Sequence, residues 1–286
     1  LNIIKKKFSY FQVNILSANK NYTKIIKIIK KFKPKIFIIN NYKIYKKIKK
    51  KYSKNKKLKI YNNFNFSNLE KRKNDITVSS ISGIAGLLPT LIFTKNSKKL
   101  LLANKESIIC GWPLIVKLAK KYKTEVIPVD SEHFSIFELI KSENKQLIDK
   151  IYLTASGGPF VKVKKKLSNI KPKEAIKHPN WKMGKNISIN SSNLMNKIFE
   201  IIEAKKIFDL PYNKFEIIIH PQSLIHGMIK YKNGLMKLLY HSPNMAIPLS
   251  NAIFNNKILI SDLGIKDKIS DLKNLEFSKP KTNQFP

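Results

Sequence analysis

An open parallel α/β sheet, followed by an α+β domain with a mainly antiparallel sheet, is the fold class this sequence predicts. Three observations carry the prediction. Between residues 13 and 129, short apolar runs alternate with lysine-studded amphipathic stretches, the rhythm of strand, helix and strand. After Asp130 that rhythm breaks. Further on, Asn233-Gly234 separates the runs 224–231 and 235–240, and Asn-Gly between two apolar runs is a hairpin signal.

The elements follow in order. Residues 1–7 read as the tail of a helix, and the leucine start inside an apolar pattern reads as a chain whose N-terminus lies further upstream. Residues 13–17 are a short strand with Ala18-Asn19-Lys20-Asn21 as its turn. Residues 22–32 repeat Ile25, Ile26, Ile28 and Ile29 between lysines, an amphipathic helix that Pro34 stops. Residues 35–40 predict a buried strand, 44–52 a lysine-rich helix and 58–61 a further strand. The next strand, 75–80, runs into 82–90, which opens a helix of small and apolar residues. Residues 99–103 form a strand that ends at Asn104-Lys105-Glu106-Ser107; 108–122 are helical; 125–129 form the strand that delivers Asp130. Ligands of open α/β sheets sit outside the carboxyl ends of the strands, so Asn104, Lys105, Asp130 and Glu132 are placed to face one cleft. The second part predicts a helix at 135–141, a strand at 151–154, a loop or short helix at 162–171, a strand at 186–189 and a helix at 194–208. The strand 215–219, the hairpin and a helix at 243–254 complete it, and the polar stretch 255–286 reads as a linker. The domains expected are 1–129, 130–254 and 255–286.

Composition narrows the function classes. The formal charge is +38, which taken alone points to nucleic acid or an acidic membrane. Yet Arg72 is the only arginine, and the chain is also crowded with Asn, Ile, Phe and Tyr. Those residues share A- and T-rich codons with lysine, so nucleotide bias explains the whole set, whereas a binding surface explains only the lysines. A specific nucleic-acid site would use arginine forks. The charge still attracts anionic cofactors and substrates. Cys110 is the sole cysteine, which excludes an internal disulfide and a thiolate cluster. No apolar run is long enough for a membrane span, and the start lacks the order of a signal peptide, so a bacterial cytoplasm is expected.

The residues that promise chemistry fall between Asp130 and Glu200. Asp130 and Glu132 alternate with Ser131; on an extended strand they would point the same way and share a metal ion. Hard divalent cations take oxygen ligands of this kind. On the helix after Ser192, Asn196 and Glu200 share a face, with Asn193 and Lys197 close by and Glu203 one step along. A solvated helix surface would look the same. Ser156-Gly157-Gly158 follows a strand and lets backbone amides approach a phosphate, to which Ser191, Asn196 and Lys197 would add donors. Trp181 and Met183, beside His178, suggest a lid over ligand. His220, His226 and His241 read as structural, since no zinc spacing surrounds them.

At these residues the sequence resembles the 1-deoxy-D-xylulose 5-phosphate reductoisomerase family. The ordered blocks are 82–90, 101–107 (Leu-Leu-Ala-Asn-Lys-Glu-Ser), 128–133, 156–160, 178–184, 188–203 and 220–226 (His-Pro-Gln-Ser-Leu-Ile-His). The resemblance implies a Rossmann-like cofactor domain and an NADPH-dependent isomerisation and reduction to 2-C-methyl-D-erythritol 4-phosphate, a step of the non-mevalonate isoprenoid route. It implies that Asp130, Glu132 and Glu200 ligate Mg²⁺ or Mn²⁺, with Lys105 beside the reacting oxygens and His178 on the lid. Ser131, Ser156, Trp181, Ser191, Asn196 and Lys197 would hold the sugar phosphate. Ala18, Asn19, Lys20, Ser80, Ile81, Asn104, Glu106 and Gly184 would line the NADPH groove. Lys20 suits the 2′-phosphate, although Asn19 stands where the family usually has glycine. Asn190 replaces an acid, and Asn193 and Ile198 replace small residues. The family's glycine-rich loop is expected before Leu1, a helical domain after Pro286, and a homodimer through the central domain. Two other readings predict different behaviour. A simple sugar-phosphate or homoserine-type dehydrogenase need not depend on a divalent ion, and a lysine-driven nucleic-acid binder would hold RNA or duplex at physiological salt.

Overall fold

The computed structural model describes residues 1–64, 73–141, 143–159, 192–265 and 275–281. A short helix α1 (Asn2–Lys6) precedes strand β1 (Ile15–Ala18), helix α2 (Tyr22–Phe32), strand β2 (Ile36–Ile39), helix α3 (Tyr42–Lys51) and strand β3 (Lys59–Tyr61). Asn21 and Asn41 cap the two longer helices, accepting from Lys24 N at 2.9 Å and Ile44 N at 3.1 Å. Lys33 ends α2 in the left-handed region, and Pro34 follows it. Ile25 and Ile29 turn inward onto Phe37 and Ile39 of the parallel sheet β1-β2-β3.

The second parallel sheet holds β4 (Asn74–Ser79), β5 (Ser97–Leu102) and β6 (Glu125–Pro128), connected by α4 (Leu87–Lys95) and α5 (Lys105–Tyr122). The parallel layer is thus built in two three-stranded halves. Among the described residues no ladder joins β1 to β4, but Asn14 Nδ2 donates to Asn74 Oδ1 across the gap at 3.0 Å.

Helix α6 (Ser131–Ile140) follows β6 after two intervening residues and leaves the parallel layer. It leads to β7 (Ile148–Ala155), α7 (Met195–Phe208), β8 (Phe215–Ile219), β9 (Ile225–Tyr231) and β10 (Met236–Tyr240). Their sheet has the order β10-β9-β7-β8; β9 runs antiparallel to both neighbours, and β8 runs parallel to β7. The hairpin turns as its sequence demands, with Gly234 at φ 87°. Helix α8 (Ala246–Phe254) then returns to the parallel layer.

The placement of α6 matters most. Phe134 packs with Leu101, Ile127, Val129 and Ala252, while Ile136 and Ile140 pack with Ile151, Leu153, Ala204 and Ile229. One helix therefore joins both cores, and its first turn is fixed at their junction. Gly227 lets β9 approach it, for a Cβ there would lie 2.9 Å from Ile136 Cγ1. The described parts of 255–286 are held down at several places, first where Asn256 Nδ2 donates to Glu138 Oε2 at 2.6 Å. Lys7 pairs with Asp262 at 2.8 Å, and Ser278 forms an antiparallel bridge with Ile219. Among the described residues no helix is long and apolar enough to cross a membrane. The expected loop or helix at 162–171 and the strand at 186–189 lie outside the described residues.

Candidate functional site

The extended-strand reading of Asp130 and Glu132 is corrected here. Asp130 has extended backbone (φ −60°, ψ 140°) but is the cap residue of α6, and Glu132 lies in the first helical turn. They converge through the geometry of a helix start, where the unpaired amides and the helix dipole favour negative charge. Glu200 reaches them from the second turn of α7. Ligand oxygens of Asp130, Glu132 and Glu200 all lie within 4.8 Å of one another.

Lysines and amides bind this cluster together. The Lys197 ammonium lies 2.6 Å from Glu132 Oε1 and 2.5 Å from Glu200 Oε2 and is almost wholly buried. Asn196 Nδ2 donates to Glu200 Oε1 at 2.5 Å, and Asn196 Oδ1 accepts from Lys105 Nζ at 2.6 Å. Ser131 Oγ donates to Glu132 Oε2 at 2.5 Å. Behind them, His133 is fully buried, and its Nε2 donates to the Glu200 carbonyl oxygen at 2.9 Å. Glu203, one turn after Glu200, places Oε2 3.8 Å from His133 Nδ1 and Oε1 3.9 Å from Lys105 Nζ.

The charges set the ionisation pattern. Burial, then the Glu132 charge, pushes Glu200 up to about 8. Burial also pushes Glu203 up to about 8, against the pull of His133 and Lys105. Asp130 is raised by burial and by Glu132. Burial would raise Glu132 too, but Lys197, with help from Asp130 and His226, holds that carboxyl well below the usual range. Burial opposes the Lys197 ammonium, yet Glu132 and Glu200 hold it above its ordinary value. Protons and ammonium groups thus stand in for positive charge that the three carboxylates could take from a cation.

Three of the expected cofactor residues, Ile81, Asn104 and Glu106, form a separate knot beside the cluster. Asn104 caps α5, accepting from Ser107 N at 2.8 Å, while its Nδ2 donates to Ile81 O at 2.7 Å, Gly83 O at 3.1 Å and Glu106 Oε2 at 2.9 Å. Asn104 is buried, so its part is to hold the 81–83 loop in place. Ser80 is exposed at the end of β4. Gly86 completes the knot, since a Cβ there would lie 2.4 Å from Ile81 O and 3.0 Å from Asn104 Cγ. Gly86→Ala is expected to destabilise the protein by about 1–3 kcal/mol, because backbone and a cap residue must both give way. Urea denaturation measures it; a midpoint equal to that of the parent would show that the loop yields freely.

Ala18 ends β1, and Asn19 and Lys20 lie exposed just past it. Ser156 follows β7, with Gly157 and Gly158 both at positive φ and Gly158 N donating back to Ser156 Oγ at 3.3 Å. His178, Trp181, Gly184 and Ser191 lie outside the described residues. Sequence reasoning gave no role to His133 and Glu203. Their only signal was helical spacing, three residues after Asp130 and three after Glu200. His226 and His241 are buried and stacked with ring centroids 3.9 Å apart, and burial lowers His226 to about 3, which fits a neutral structural pair.

Comparisons with known proteins agree with this architecture. Residues 1–111 match the family model for 1-deoxy-D-xylulose 5-phosphate reductoisomerase, and residues 126–208 match that for the C-terminal domain of the same enzyme. The 1-deoxy-D-xylulose 5-phosphate reductoisomerase of Pelagibacter ubique is 49% identical over all of this chain and 74% of its own length. That of Clostridium kluyveri is 38% identical over all of this chain and 75% of its own length. A crystal structure of DOX-P reductoisomerase with NADPH, fosmidomycin and magnesium superposes with a TM-score of 0.87 at 30% identity, covering 99% of this chain and 72% of that one. The Zymomonas mobilis enzyme in complex with NADPH gives 0.84 at 29% identity, covering all of this chain and 74% of that one.

Proposed function

Because this chain belongs to the 1-deoxy-D-xylulose 5-phosphate reductoisomerase family, we infer that the Asp130–Glu132–Glu200 cluster is where its divalent ion and its substrate meet. The enzyme uses NADPH to isomerise and reduce 1-deoxy-D-xylulose 5-phosphate to 2-C-methyl-D-erythritol 4-phosphate. The observation that carries the site assignment is the convergence of the three carboxylates within 4.8 Å, under two lysines. The donor set suits Mg²⁺ or Mn²⁺: it is all oxygen, and Glu200 Oε2 is buried with an ion-pair contact but no directed hydrogen bond.

The ion supplies Lewis-acid stabilisation of the oxygen charge that develops as the substrate's C3–C4 bond breaks, and NADPH supplies the hydride that reduces the rearranged aldehyde. The chain's own residues do the rest. Lys105, held by Asn196, offers an ammonium beside the reacting oxygens. Lys197 now spends its charge on Glu132 and Glu200; a cation there would release it to the substrate phosphate. Asn196 and Ser156 add neutral donors, with Ser131 orienting Glu132. Ser191, His178 and Trp181 complete the pocket on resemblance alone. Phosphate held far from the breaking bond keeps both fragments in place until they rejoin.

Residues 1–129 form the cofactor domain of this proposal, with Ala18, Asn19, Lys20, Ser80, Ile81 and Glu106 assigned to NADPH, Asn104 holding the 81–83 loop behind them, and Gly184 added from the second domain. Residues 130–254 form the catalytic and dimerisation domain, and 255–286 the connecting segment. A homodimer is supported by the edge strand β10, where Met236 and Leu238 are 50% and 47% exposed, with Leu235 just before it 61% exposed. The enzyme works in the bacterial cytoplasm, where reduced nucleotide is at hand.

NADPH oxidation with 1-deoxy-D-xylulose 5-phosphate, with Mn²⁺ and then with excess chelator, tests the reading. Turnover that the chelator abolishes is expected. Turnover that survives complete removal of divalent ions would move the assignment to a simple dehydrogenase, and folded protein without turnover would overturn the activity.

A further inference from the structure

Lys105 is in an unfavourable place for a cation. It is the first residue of α5, directly after the Asn104 cap, where the helix presents its partial positive charge. Its side chain is only 17% exposed, so water solvates it poorly. Something must hold the ammonium inward, and the neutral Asn196 amide balances none of its charge.

Glu203 is the buried acid that the proposed chemistry leaves unused. It is 1% exposed, Oε1 has no hydrogen-bond partner, and the carboxylate faces Lys105 at 3.9 Å and His133 at 3.8 Å. A buried carboxylate is costly unless it is paired. The other carboxylates near Lys105 have other partners. Lys197 already bridges Glu132 and Glu200, and a divalent ion would claim the charge of Asp130, Glu132 and Glu200 together. Glu203 is the acid of this group that stands outside the ligand set. Burial is the largest influence raising the Glu203 carboxyl, and Asp130 and Glu200 add to it; a cation on those two would remove their part and leave His133 and Lys105 set against burial alone.

We propose that Glu203 is a positioning residue whose negative charge, presented from α7, keeps the Lys105 ammonium turned toward the carboxylate cluster when a divalent ion occupies it. Glu203 acts on substrate only through Lys105. This rests on the site reading above.

The test is a double-mutant cycle with Glu203→Gln and Lys105→Met, assayed with NADPH, 1-deoxy-D-xylulose 5-phosphate and Mg²⁺. Glu203→Gln keeps the shape and removes the charge. It is expected to lower kcat by ~10-fold with KM for NADPH unchanged, and to have no further effect once Lys105 is methionine. Glu203→Asp, which keeps the charge, is expected to recover part of the loss. Equal fold losses in both backgrounds, or full activity of Glu203→Gln, would overturn the proposal, as would failure of both Glu203 variants to fold, which would make the residue structural. A crystal structure of Glu203→Gln with Mg²⁺ decides without turnover. Lys105 swung away from Asn196 supports the proposal, and Lys105 still bonded to it overturns it. An inactive parent enzyme would sink the site reading itself, and that structure would still judge Glu203.

Discussion

Glu200→Gln is expected to cut turnover by ~10³-fold, the several kcal/mol that a Lewis acid contributes to stabilising developing oxygen charge. The reason lies in what the substitution spares. A glutamine keeps the volume of the buried side chain and can still meet Asn196, which donates to Glu200 Oε1 at 2.5 Å. It removes one of three carboxyl groups gathered within 4.8 Å and presents an amide to Lys197. The fold should therefore survive while affinity for the ion falls. Two measurements separate the effects: Mn²⁺ binding followed by electron paramagnetic resonance, and turnover against Mn²⁺ concentration. Raised ion demand with a preserved melting temperature is the expected pair. Unchanged Mn²⁺ binding would remove Glu200 from the ligand set.

Lys197→Met is expected to be the most destabilising single change at the site. The ammonium is the shared partner of Glu132 and Glu200, and all three groups are largely withdrawn from water. Breaking a buried pair by removing one partner typically costs about 3–5 kcal/mol, because an uncompensated charge remains. Protonation limits the loss. Glu200 is already raised from an ordinary 4.5 to about 8 and so holds a proton at neutral pH. The carboxyl that loses its partner is Glu132, which without Lys197 is raised by burial and can take up a proton in turn. A carboxyl raised in the folded state is without penalty below its ordinary value, and its penalty grows as pH rises toward the folded value. The variant should thus fall furthest behind the parent at the alkaline end of that window. A divalent ion should recover part of the deficit by replacing the lost positive charge. Urea denaturation at both ends of the window, with and without Mg²⁺, reads all three effects. A deficit that is independent of pH and of ion would show that packing, not charge, is what Lys197 provides.

How far the sequence disclosed this arrangement depends on the range of the forces involved. Helix α2 was legible to the residue, because its isoleucine period, the turn that ends at Asn21, and Pro34 are all local. The hairpin was equally plain from Asn233-Gly234. Asp130 and Glu132 were found for a reason that proved wrong in its geometry: they sit at a helix start, whose cap residue is extended like a strand. Helix α6 was expected to begin at residue 135, since Ser131, Glu132 and His133 interrupt the apolar pattern; their polarity serves the cluster. The meeting of Glu200 with Asp130 and Glu132 depends on α7 packing across the second sheet, which no local pattern encodes. His133 and Glu203 were given no role because a buried histidine beside a buried glutamate looks, in sequence, like two ordinary polar residues on helices.

The contact between Ile219 and Ser278 has a consequence for synthesis. The margin strand β8 is closed at its end by a residue made much later, through bonds of 2.7 and 3.0 Å, and Phe277 stacks on His220 beside it. A ribosome makes Asp130, Glu132 and Glu200 before any of that closing stretch appears. The nascent chain therefore passes through a stage with its full set of carboxylates in being and one sheet margin still bare. During that stage, the cluster and the bare margin are both open to whatever the emerging chain meets first.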